Sequence, residues 1–186
     1  MKIIVGLGNA KIGYGNTRHN IGFKAIDLLR KKYTPSEVIK HKYYRGWRTE
    51  IAGSPIILIK PKAFMNESGI AVKKVFERFD GKLDDYIIIH DELDVPLGKI
   101  KITAGKGPGG HKGVLSVVNE LGSKAFVRLR IGIGRENLDI PYVDYVLSPF
   151  LPEERHIIER ALETAVSAIE EVIRSGIEKA MSIYNV

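Results

Sequence analysis

The chain has 186 residues, a net charge of +7 and no cysteine. That length fits one domain with a core of its own, and the missing cysteines exclude disulfides, thiolate metal sites and cysteine nucleophiles, which makes the cytoplasm the expected compartment. No apolar run approaches the roughly 20 residues that span a bilayer, and the N-terminus enters a strand-like run without a signal pattern, so a soluble protein is expected.

Charge is unevenly spread. Residues 1–60 hold twelve Lys and Arg against three Asp and Glu, whereas residues 151–186 hold four against seven. A one-sided basic surface suits a polyanion such as nucleic acid, and serves solubility equally well.

In chain order, KIIVGLG (2–8) is a β-rich run closed by Gly6 and Gly8. IGFKAIDLLRKKY (21–33) then spaces Ile21, Ala25, Leu28 and Leu29 at helical intervals. Between them, Thr17, Arg18, His19 and Asn20 stand where loop becomes helix. YYRGWRTEIAG and SPIILIKP read as two strands joined through Gly53 and Ser54. SGIAVKKVFERFDG puts Ile70, Val72, Val75, Phe76 and Phe79 on one helical side, with Gly81 as the stop. DYIIIHDE (85–92) has the unbroken apolar core of a central strand buried on both faces.

KIKIT (99–103) alternates as a strand, AGKGPGG (104–110) is a glycine-rich loop, and HKGVLSVVNELG reads as a helix ending at Gly122. FVRLRIGIG aligns Val127, Leu129, Ile131 and Ile133 on one side. YVDYVLSPF (142–150) reads as a short strand or extended piece, and Pro152 opens a long helix followed by a short terminal one. Strands and helices mixed in this order predict a single-domain α/β fold over residues 1–186: a three-layer sandwich with a mixed central sheet flanked by helices.

Two nucleotide motifs fail. After Gly6 and Gly8, a dinucleotide fingerprint requires glycine at position 11, which is lysine. In GKGPGGHKG, the Gly-Lys-Ser/Thr of a phosphate loop is missing. What remains there is a loop whose free amides lead into a helix N-terminus and can grip an anion or act as a lid.

None of His19, His41, His90, His111 and His156 shows metal-ligand spacing, so no metal is expected. His19 sits at a helix start in the zone of strand carboxyl ends, where open α/β sheets place ligands. The strand ending in HDELD delivers Asp91 to the same edge. A carboxylate bonded to one ring nitrogen would fix the imidazole tautomer and free the other nitrogen to deprotonate water. Asn9 lies at that edge as well, and Asn66 carries both a donor and an acceptor just before Ser68. Each of these residues also has a plain structural role open to it, in a turn or a cap.

GLGN, Y-x-x-TRHN, FMN-x-SG, HDELD-x-P-x-G, GGH-x-G and RLRIGIG, in this order and spacing, resemble bacterial-type peptidyl-tRNA hydrolase over nearly the full chain. The resemblance implies a cytoplasmic, monomeric, cofactor-free enzyme whose partner is peptidyl-tRNA, and which cleaves the ester joining peptide to tRNA. Carried over, His19 is the histidine that activates water and Asp91 its orienting partner. Asn9, Tyr14, Met65 and Asn66 line the substrate site, with Lys101 and Arg130 as the tRNA-binding cations.

Three positions depart from that family's pattern. Ala10, Lys11 and Ile12 replace a proline-containing turn, and Thr103 replaces a lysine that meets tRNA phosphate. Lys112 replaces a substrate-positioning asparagine and can itself grip phosphate or ribose. Two other readings use the same residues. One is a noncatalytic RNA-binding module, and the other is a metal-dependent hydrolase built on His90, Asp91 and Asp94.

Overall fold

The computed structural model describes residues 1–79, 81–135 and 140–185. Among the described residues, runs of Ile, Val and Leu form seven strands: β1 (Lys2–Gly6), β2 (Glu37–Lys40), β3 (Tyr44–Ile51), β4 (Ser54–Pro61), β5 (Tyr86–Glu92), β6 (Ile100–Ala104) and β7 (Val127–Gly132). They make one sheet in the order β2-β3-β4-β1-β5-β7-β6. The middle four, β4, β1, β5 and β7, run parallel, while β2, β3 and β6 pair antiparallel at the edges. All seven residues of β5 are buried, as its apolar run demands, and it lies one place from β1 in the middle.

Six α-helices of the described residues accompany the sheet: α1 (Ile21–Lys32), α2 (Ser68–Phe79), α3 (Lys112–Leu121), α4 (Tyr142–Val146), α5 (Arg155–Ser175) and α6 (Ile177–Tyr184). Side chains of α1, α5 and α6 join one buried cluster with Ile4, Ile87, Ile89 and Leu129. Those of α2 and α3 join a second with Ile3, Val5 and Ile88. Alternate residues of β4, β1 and β5 feed opposite clusters, and that division produces the three layers. No helix of the described residues is long and apolar enough to cross a membrane.

Two local expectations need correction, and one strand went unread. Residues Tyr142–Val146 form α4, a helical turn rather than a strand, with the Tyr145 N–H donating to the Pro141 carbonyl at 3.0 Å. On α2 the buried face runs through Ser68, Gly69, Ala71, Val72 and Val75. A Cβ on Gly69 would run into the backbone of Ser116 on α3, so the two helices touch through small residues and Ile70 turns outward. Finally, β2 was not legible because Ile39 is its single buried residue.

One close approach places the functional region. A Cβ on Gly22 would collide with the carbonyl of Leu7 and sit 2.5 Å from that of Ile89. Glycine therefore lets the first turn of α1 lie directly on the ends of β1 and β5. Gly22→Ala is expected to cost about 1–3 kcal/mol in urea unfolding and to displace the residues just before α1.

Candidate active site

Four consecutive side chains before α1 each bind a different element. The Thr17 hydroxyl donates to the Tyr14 carbonyl (2.8 Å), and Thr17 forms an isolated bridge with Pro149. Arg18 donates twice to the Glu154 carboxylate (3.1 and 2.7 Å) while its guanidinium stacks 4.2 Å from the Tyr145 ring centre. His19 meets Asp91 at the end of β5. The Asn20 side chain clamps the main chain of Asn9, accepting from its N–H at 2.7 Å and donating to its carbonyl at 3.1 Å.

Asp91 is 2% exposed. Nδ1 of His19 lies 2.8 and 2.9 Å from its two carboxylate oxygens, and Nε2 of His111 lies 3.0 Å from Oδ1. Burial alone would raise the carboxyl pKa, but the two imidazoles outweigh it and hold Asp91 well below the usual carboxylate range. Asp91 is thus an ionised acceptor, and the nitrogens facing it carry protons.

Main-chain geometry fixes the tautomer of His111. As the cap of α3, its Nδ1 accepts from the N–H groups of Gly113 (3.1 Å) and Val114 (3.2 Å), so its single proton belongs on Nε2, facing Asp91. For His19, donation from Nδ1 leaves Nε2 with the lone pair.

His19, Asp91 and His111 are the group among the described residues with donor atoms close enough to hold a metal, all within 4.8 Å. The chemistry does not fit, because His111 Nε2 carries a proton as long as Nδ1 caps α3. The grouping of His90, Asp91 and Asp94 does not form either. Nδ1 of His90 faces the Asp91 carbonyl at 2.6 Å, while Asp94 pairs with Arg135 at the surface.

A cavity of about 520 Å³ opens beside the triad. Of the residues singled out from sequence, Asn9, His19, Met65, Asn66, Asp91 and Lys112 line it. Asn66 and Lys112 are exposed there, Met65 is buried, and Phe64, Leu93, Val143 and Val146 add an apolar wall. Tyr14 does not line the cavity. Its carbonyl is taken up by Thr17, and it serves the turn that leads to His19.

Lys101 and Arg130 also lie outside the lining, side by side in register on β6 and β7, where Arg130 Nη1 contacts Glu92 at 3.1 Å. Arg18, Asn20 and His111 were missed as functional residues. The TRHN and GGH-x-G motifs contained them, but their partners lie on other elements and leave no periodic trace in the sequence.

Residues 3–186 match the family model described as peptidyl-tRNA hydrolase. A peptidyl-tRNA hydrolase of Thermodesulfovibrio yellowstonii is 47% identical, with 100% of this chain and 99% of that protein covered. One from Gloeobacter violaceus is 42% identical, covering 100% and 94%. The crystal structure of peptidyl-tRNA hydrolase from Acinetobacter baumannii superposes with a TM-score of 0.92 at 31% identity, covering 100% of this chain and 95% of that one.

The capping geometry makes two checks. Imidazole ¹⁵N spectra at neutral pH are expected to show His111 protonated on Nε2. His111→Ala should lose about 1 kcal/mol of stability in urea unfolding, and an unchanged midpoint would contradict the cap.

Proposed function

Because this chain belongs to the peptidyl-tRNA hydrolase family, we propose that it hydrolyses the ester of peptidyl-tRNA with water activated by His19. One observation carries this reading. His19 stands on the cavity wall with Nδ1 held by an ionised carboxylate at 2.8 Å, which leaves Nε2 as a base.

In the proposed reaction, Nε2 of His19 takes a proton from water as its oxygen attacks the ester carbonyl. Asp91 stabilises the imidazolium that forms. Collapse of the tetrahedral intermediate breaks the bond to the ribose oxygen, and the imidazolium returns the proton to that oxygen. Products are free peptide and tRNA.

Asn9 and Asn66 are the amides on the cavity wall that can hydrogen-bond the peptide and the developing oxyanion. Lys112, exposed at the rim, offers a cation to ribose or phosphate. Met65 supplies apolar contact, and the cavity volume lies within the range of small-ligand sites. An aminoacyl ester needs less activation than an amide, so a base with a few hydrogen bonds suffices and no covalent intermediate is required.

The tRNA body extends beyond the cavity. Lys101 and Arg130 form a basic pair in register on β6 and β7, Arg130 reaching Glu92 on the cavity wall, and this supports their role as phosphate contacts. His19, Asp91, Asn9, Asn66 and Lys112 all belong to one chain, so the proposed reaction requires no second copy and a monomer suffices for it. The cysteine-free composition supports a cytoplasmic setting.

Assays on N-blocked aminoacyl-tRNA test the reading. His19→Ala is expected to lower kcat by about 10²- to 10⁴-fold with little change in tRNA binding, and wild-type turnover would remove His19 from the mechanism. Arg130→Ala should weaken tRNA binding and reduce its log-log salt slope by about 1.

A further inference from the structure

Carbonyls along β5 alternate in direction. That of Ile89 faces β1 and accepts from Leu7 N–H at 2.9 Å, and that of Glu92 faces the other way and accepts from Ile133 N–H at 3.0 Å. By this alternation the Asp91 carbonyl faces the β1 side, but the β1–β5 pairing ends at Gly6 and Ile89. The residue carrying the central carboxylate therefore lies past the last rung on its β1 side, while on the other side it still pairs with Ile131 of β7.

His90 fills the gap. Its Nδ1 lies 2.6 Å from the Asp91 carbonyl, and because a carbonyl only accepts, Nδ1 must carry the proton. The same ring packs edge to face against His111, with centres 4.6 Å apart and planes at 62°. His111 is the second donor to the Asp91 carboxylate. One side chain thus touches both the main chain of Asp91 and the group that steadies its carboxylate.

The arrangement has a cost. His90 is fully buried, and its Nε2 has no hydrogen-bond partner among the described residues. A buried acceptor left alone is unfavourable, and a phenylalanine of similar shape would fill the space without it.

We infer that His90 is a positioning residue: by donating to the Asp91 carbonyl and bracing the His111 ring, it sets the direction in which the Asp91 carboxylate meets His19. This rests on the assignment of His19 as base. Burial, followed by the neighbouring His111 and, more weakly, Arg128, keeps the His90 pKa well below the ordinary imidazole value, against the opposing pull of Asp91. His90 therefore remains a neutral donor and does not take part in proton transfer.

Two substitutions separate positioning from packing. The amide of His90→Asn sits where Nδ1 sits and still donates, whereas His90→Phe keeps the ring volume and loses the donor. Phe is expected to lower kcat by about tenfold with KM nearly unchanged and a near-native melting temperature, while Asn recovers most of the rate. A packing role predicts the reverse order. Wild-type kcat in a folded Phe variant, or an Asn variant no faster than Phe, overturns the inference.

The unmodified protein supplies a readout independent of refolding. Its ¹⁵N spectra must show His90 protonated on Nδ1 alone, and an Nε2-protonated ring overturns the inference as well. With His19→Ala assayed in parallel, an unaffected His19→Ala would defeat the parent mechanism. A slow His19→Ala beside a fast His90→Phe would defeat the positioning role alone.

Discussion

A carboxylate sealed from water must be met by donors from several directions, because an uncompensated buried charge costs several kcal/mol. Asp91 meets this demand with His19 on one side and His111 on the other. Each donor is itself fixed: His19 by the turn that opens α1, His111 by its cap on α3. The charge compels the two imidazoles to face it, and that compulsion leaves one His19 nitrogen available for chemistry. Stability that Asp91 contributes by staying ionised is present above the ordinary carboxylate pKa and is lost only as pH falls through its lower folded value.

Around this charge the fold works as a positioning frame. Gly22 lets α1 settle onto the ends of β1 and β5, and the four residues before it tie to the Tyr14 turn, to Glu154 ahead of α5, to β5 and to the Asn9 loop. Arg18 and Asn20 bond to Glu154 and to the main chain of Asn9, and so fix the segment that carries His19. Such bracing limits the freedom of the base before substrate arrives, which is the structural meaning of preorganisation.

Much of this was legible from residue order. The fully apolar run of β5 marked an interior strand, and alternation in FVRLRIGIG placed Val127, Leu129, Ile131 and Ile133 together, as they are in one buried cluster. The pairing of His19 with Asp91, 72 positions apart, followed from placing both at strand and helix ends on one sheet edge. Other features depend on contacts that sequence periodicity does not carry. The outward turn of Ile70 follows from the Gly69–Ser116 approach, and α4 is helical where local composition reads as extended. His111 as a partner of Asp91 requires the glycine loop to fold back over β5, and Tyr14 turns out to serve a turn rather than the cavity.

The central claim is that His19 and Asp91 work as one unit, and a double-mutant cycle on kcat tests it most directly. If the carboxylate acts only through the imidazole, adding Asp91→Ala to His19→Ala should slow the enzyme little beyond the slower single variant. Losses that multiply in the double variant would show two independent contributions and contradict the account.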